Sequence, residues 1–271
     1  MKSTPPCAEN GCPSMQILLV LANVLESACL DYRSGALQEG RSLLGSLVMI
    51  GLSLIAQPLC AQVDEDDTGA WYMYFFNAPA QTSQWGLQGD VQYRNWDLGG
   101  DLEQLLLRGG LTWRPRSNGA MFTLGYANIR SGEFGPSSRT ITENRIYQEA
   151  LLPQKISERF YLRHRFRFEQ RWVDKQDFRT RYRYAIFIDV PLNNSSIKKG
   201  VWYLAFYDEI FLNGQRDIGD GRTVEIFDRN RLYGALGYGL SDKVKLQGGY
   251  MHQYSNNISK GQLQLSLHQT F

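Results

Sequence analysis

Arginine is the residue type whose spacing asks for a chemical explanation first. From 159 to 172 the chain reads RFYLRHRFRFEQRW, with Arg159, Arg163, Arg165, Arg167 and Arg171 at odd positions. After the intervening VDKQD, the segment FRTRYRYAIFIDV repeats the device with Arg179, Arg181 and Arg183. A guanidinium is a planar fork of donors that matches carboxylates and phosphates, so eight in register form a ladder for anions or for partner carboxylates. Phe160, Leu162, His164, Phe166, Phe168 and Trp172, then Phe178, Tyr182, Tyr184, Ile186 and Ile188, fall between them. A period of two puts the two sets on opposite faces of a strand. Single-stranded nucleic acid needs stacking rings and arginines on one surface, so nucleic acid is not an expected partner.

Nucleophilic chemistry has thinner support. The chain holds 3 histidines, and YMHQYSNN sets His252 near Ser255. That stretch is similar to the His-x-Ser-Asn signature of outer-membrane phospholipases and lipid A deacylases, in which one residue separates base from nucleophile. Here two intervene, which puts His252 and Ser255 on opposite strand faces and removes the contact that activation requires; a bulge near Tyr254 would restore it. His164 and His268 are read as lone histidines, without Ser or Cys beside them on their faces. The GDGRT stretch, with Asp217 and Asp220, is read as a solvated loop rather than a calcium site. The LGG, RGG and QGG triplets suit strands that bend or crowd, not phosphate loops. No catalytic residue, metal or cofactor is expected.

Strands must hold these residues in place. With 26 glycines and 15 tyrosines, and no sustained heptad past residue 100, the composition favours strands and turns. Eleven alternating segments follow one another, at about 69–77, 84–95, 103–114, 119–130, 139–152, 158–173, 177–190, 201–212, 227–239, 243–254 and 261–271. Turn-type stretches such as NWDLGGD, PLNNSSIKKG and LSDK separate them. Consecutive strands on short turns make an antiparallel meander that can close into a barrel. A formal charge of +2 is too balanced to imply a polyanionic partner, and 43% hydrophobic residues are ample for a core.

Which face meets water decides the class. In the last segment Leu263, Leu265, Leu267 and Phe271 oppose Gln262, Gln264, Ser266, His268 and Thr270. In the eighth, Trp202, Leu204, Phe206, Ile210 and Leu212 oppose Tyr203, Tyr207 and Glu209. A soluble sandwich or lipocalin-like barrel would hide the greasy face. The segments, however, are longer than the ~5 to 6 residues usual in globular sheets. Trp85, Trp113, Trp172 and Trp202 sit near segment ends, as interfacial girdles do. Both features, with an export-type leader, favour the inverse arrangement, with the greasy face on lipid and the polar face on a lumen. An arginine at mid-bilayer costs about 2 to 4 kcal/mol, so the ladder turns inward. The expected fold is all-β, a transmembrane antiparallel up-and-down β-barrel. Single-chain bacterial barrels carry even strand numbers, so twelve strands are expected, with ten as the alternative.

The final strand GQLQLSLHQTF, with Leu263, Leu265, Leu267 and Phe271 on one face, looks like the insertion signal of Gram-negative outer-membrane barrels, which the barrel-assembly machinery handles. The region from roughly 65 to 271 resembles domain of unknown function 2490, a family of short outer-membrane barrel proteins. The resemblance rests on DTGAWYMYFF, WGLQGDVQYRNW, the arginine-rich pair and LYGALGYGLSDKVKLQGGYMHQYSN. It implies an outer-membrane location with lipid as surroundings, and it carries no catalytic residue. Two roles stay open for the ladder. Inward Glu143, Glu149, Glu169, Asp189 and Glu209 could neutralise it into a stiff network, or part could stay unpaired and line an anion-selective pore. A lipid hydrolase is the alternative function, and the oligomeric state stays open.

Cys7, Cys12, Cys29 and Cys60 all precede residue 61, so no disulfide framework can be built downstream. RSLLGSLVMIGLSLIAQPLCAQ has the layout of a secretory signal: Arg41, an apolar run from Leu43 to Ala56, and a small residue at Ala61. The run is shorter than the ~20 residues of a spanning helix, and the residues before Cys60 lack the small pair of a lipoprotein site. Residues 1–61 are therefore expected to be a leader, cleaved between Ala61 and Gln62, with 1–40 either part of that leader or a mis-called start; 62–271 form the barrel.

Overall fold

A computed structural model describes residues 68–271, apart from 117, 118, 136, 137, 257 and 258. The expected leader, its cleavage junction and the four cysteines lie outside the described residues. Eleven strands follow in chain order: β1 (Gly69–Pro79), β2 (Trp85–Asn95), β3 (Leu102–Trp113), β4 (Met121–Gly132), β5 (Thr140–Lys155), β6 (Tyr161–Val173), β7 (Arg179–Pro191), β8 (Trp202–Asn213), β9 (Phe227–Gly239), β10 (Val244–Tyr254) and β11 (Ser259–Thr270). Each pairs antiparallel with its neighbours in sequence, and β1 closes the barrel on β11.

The closed all-β barrel is the expected one, and its strand count, eleven, falls between the even alternatives of ten and twelve. The reason lies in the closing seam. In an up-and-down meander with an odd number of strands the first and last run the same way, and β1 and β11 do pair parallel, from Gly69↔Gln262 to Asn77↔Thr270. The barrel's two ends therefore lie at opposite rims. β1 starts at the first rim, where β2 meets β3, β4 meets β5, β6 meets β7, β8 meets β9 and β10 meets β11; β11 ends at the second.

Alternation sets the two faces, and the polarity runs inside out. In β4, Met121, Thr123, Ala127 and Ile129 are buried inward while Phe122, Leu124 and Tyr126 are exposed outward. Around the wall Leu87, Leu107, Leu111, Leu124, Leu263 and Leu265 are 43–58% exposed, whereas Arg94, Glu149, Glu169, Arg181, Gln262 and Ser266 are buried. A water-soluble fold shows the reverse. Trp85, Trp113 and Trp202 ring the second rim and Trp172 stands at the first, all exposed. Inside, two rings need glycine beneath them: a Cβ on Gly125 would stand 2.2 Å from the Tyr147 ring, and one on Gly237 as close to Tyr203. Gly99 and Gly100 lie in the β2–β3 turn expected at NWDLGGD, not on a strand as the LGG triplet alone suggested, and Asp97 caps that turn.

Candidate functional site

Strands β5 to β8 present their odd-numbered residues to the lumen, and there the arginines meet carboxylates. Glu169, 1% exposed, is the hub. It accepts from Arg181 Nη2 at 2.8 Å and Arg183 Nη1 at 2.7 Å, with Arg145 Nη1 at 3.6 Å and Arg167 Nη1 at 3.9 Å. Glu143 takes Arg145 at 2.6 Å and also Arg171. Glu149 takes Arg167 through Nε at 2.7 Å, with Gln88 Nε2 at 3.1 Å. Glu209 bridges Arg165 at 2.7 Å and Arg183 at 2.6 Å, and Asp189 holds Arg163 at 2.7 Å. Asp228 on β9 adds a second carboxylate to Arg181, at 3.0 Å. Removing either partner of such a buried pair costs roughly 3–5 kcal/mol, because the other charge is left without its counter-charge.

Seven of the eight expected ladder residues thus turn inward. Arg159 does not: it lies in the exposed β5–β6 turn, before β6 begins at Tyr161, so strand alternation no longer governs it. The five expected carboxylates, Glu143, Glu149, Glu169, Asp189 and Glu209, all face the lumen and pair with arginine. Leu263, Leu265 and Phe271 are exposed on the outer wall, with Leu267 half-buried on the same face.

A second part of the lumen escaped the sequence pattern. Arg94, Arg108, Arg229, Arg231 and Lys245 also line it, from strands whose alternation carries no conspicuous basic run. Arg108 pairs with Asp90 at 2.8 Å. Arg94, Arg231 and Lys245, with Arg179 on β7, have no carboxylate in salt-bridge reach among the described residues. Inward rings replace it. Arg94 lies 3.8 Å above the Trp71 ring centroid, and Arg183 and Arg231 lie 4.4 and 4.8 Å from that of Phe211. Separation of arginines from aromatics, the expectation for this wall, is therefore incomplete. A cavity of about 510 Å³ remains open among these groups; twelve of its lining residues are arginine or lysine and five are aspartate or glutamate.

Two of the three histidines share their face with a serine, whereas His164, as expected, has no Ser or Cys beside it among the described residues. His252 Nε2 lies 2.8 Å from Ser259 Oγ, on the outer wall near the first rim, whereas Ser255 sits in the turn beyond β10. His268 turns inward, 3.0 Å from Ser266 Oγ and stacked on Phe75. Both serines share the histidine's face through the same period of two that defines the strands. His164, outward, joins Tyr184 and Gln154. In the 214–226 turn Asp217 caps the Gly219 amide and Asp220 meets Arg222 at 3.3 Å. Among the described residues no group of three or more His, Cys, Asp or Glu could hold a metal ion.

A family model described as "Protein of unknown function" (DUF2490) matches residues 68–264, from the start of β1 into β11. No curated protein and no solved structure matches the chain.

Proposed function

The chain belongs to the protein family of unknown function DUF2490, and on that footing we propose an integral outer-membrane β-barrel of a Gram-negative bacterium, stiffened by its ion-pair wall and conducting small anions. The greasy belt and the tryptophans at both rims support the membrane reading. Lipid then surrounds the belt, and the barrel-assembly machinery acts on the final strand. One observation carries the conduit: twelve basic against five acidic residues around the open cavity. In a narrow, low-dielectric passage such an excess concentrates anions and repels cations. Planar-bilayer recording under a KCl gradient tests it. The expected result is a current whose reversal potential takes the chloride sign; absence of current leaves the network a purely structural role. Recovery of the protein from cells without detergent would defeat the membrane reading itself.

A lipid hydrolase is the second reading, favoured by the His252–Ser259 contact on the outer wall, where a lipid ester could reach. No carboxylate hydrogen-bonds His252 among the described residues, so the pair lacks an orienting acid. Phospholipid and lipid A hydrolysis, assayed in detergent, decides the matter. Activity that vanishes in both His252→Ala and Ser259→Ala would establish it, and an inactive wild type dismisses it.

A further inference from the structure

Two cations on one side of the lumen share an indole. Trp71, 2% exposed, is held by its Nε1–H donating to Glu103 Oε2 at 2.9 Å. Arg94 Cζ lies 3.8 Å and Arg231 Cζ 4.9 Å from that ring's centroid, and the two guanidiniums are electrostatic neighbours. Both are buried, at 6% and 8% exposure. Their polar contacts are amide oxygens: Arg94 donates to Gln92 and Gln104, and Arg231 Nε donates to Gln253 at 2.8 Å. Neither Nη atom of Arg231 has a hydrogen-bond partner among the described residues, and the side chain lines the cavity.

The nearby carboxylates are engaged elsewhere. Glu103 serves the indole, and Glu209, beside Arg231 in the β8–β9 register, is committed to Arg165 and Arg183. Two phenols complete the wall, stacked at 4.8 Å. Tyr207 accepts from Gln264 at 3.3 Å, which leaves its own proton to give, and the Tyr233 hydroxyl is buried with no partner among the described residues. The Arg231 Nη groups and the two phenols are thus donors in want of an acceptor, and Arg94, whose nitrogens meet amide oxygens, has no carboxylate in salt-bridge reach among the described residues. Two adjacent guanidiniums without a counter-charge are costly in a low-dielectric site, and an oxyanion offers each the charge-assisted bonds it lacks.

We propose that Trp71, Arg94, Arg231, Tyr207 and Tyr233 form a binding station for a small oxyanion of the phosphate type. The station deepens the conduit reading and rests on it for access to the cavity. Its test uses inorganic phosphate titrated calorimetrically into the folded barrel in detergent, with chloride at matched ionic strength as comparator. The expected result is one saturable phosphate site, at least tenfold weaker in Arg94→Gln and in Arg231→Gln and unchanged in Arg139→Gln at the exposed rim. Tyr233→Phe deletes only the unpartnered hydroxyl, keeps the ring, and should weaken binding severalfold even if an arginine variant fails to fold. Absence of saturable binding to wild type, or wild-type affinity in all three station variants, overturns the proposal. An anion-selective current without saturable phosphate binding removes the station and keeps the conduit; saturable binding in a barrel without current does the opposite.

Discussion

The lumen has two walls that use arginine differently. From β5 to β8 the guanidiniums are interleaved with Glu143, Glu149, Glu169 and Glu209, each carboxylate holding at least one arginine at 2.8 Å or less. Toward β1, β2, β9 and β10, Arg94, Arg231 and Lys245 meet only amides and aromatic rings. Arg179, at the first rim, is the paired wall's exception. The contrast separates two jobs for one residue type. A matched guanidinium is structural, since its charge is spent on a neighbour, whereas an unmatched one keeps its charge for whatever enters.

Substitution should break this contrast in a graded way. The largest loss is expected for Glu169→Leu, which leaves Arg181 with Asp228 alone and Arg183 with Glu209 alone and removes the counter-charge near Arg145 and Arg167. About 3–5 kcal/mol should go, read as a lowered urea midpoint of the refolded barrel; an unchanged midpoint would show that the wall is not held by its ion pairs. Leu265→Arg probes the outer face. An arginine on the lipid side costs about 2–4 kcal/mol at the bilayer midplane, so refolding into lipid vesicles should suffer, and equal stability would argue against lipid at that face. Arg94→Gln should act in the other direction. It removes an unmatched buried charge, so the urea midpoint should stay level or rise while chloride preference falls, and a large drop would mean that Arg94 is structural after all.

The smallest effect lies in a turn beyond the strands. Asp97, in the β2–β3 turn, accepts hydrogen bonds from the Gly100, Gly99 and Asp101 amides, which hold its pKa below the ordinary aspartate value. A folded pKa below the unfolded one gives stability that is present above the unfolded value and is lost as pH falls through the folded one. Asp97→Ala should therefore narrow the gap between neutral and acid stability at that turn, visible as faster exchange of the Gly99 and Gly100 amides at neutral pH. No change in exchange would show that the cap contributes nothing.

Period two made most of this legible from residues alone. Eleven alternating segments coincide with eleven strands, and the inward side of Arg163 to Arg183 follows from parity. Arg159 was misplaced because alternation holds only while the strand lasts, and no residue type marks where β6 begins. The strand number was drawn toward an even value by a rule about where chain ends lie, which the parallel β1–β11 seam does not obey. The station around Trp71 was invisible for a deeper reason. Arg94 faces Trp71 directly across the β1–β2 hairpin, but alternation does not assign a neighbour across the lumen, and Arg231 on β9 reaches the same indole only by closure of the barrel. The Ser266–His268 pair was within reach, since both residues share a face two positions apart.

The unmatched cations should govern what passes. Reversal potentials measured side by side for wild type and an Arg94→Gln/Arg231→Gln double variant, in planar bilayers under one KCl gradient, test that directly. The prediction is a chloride-signed potential for wild type that moves toward zero in the double variant. A wild-type potential of the potassium sign, or a double variant as chloride-selective as wild type, would contradict it.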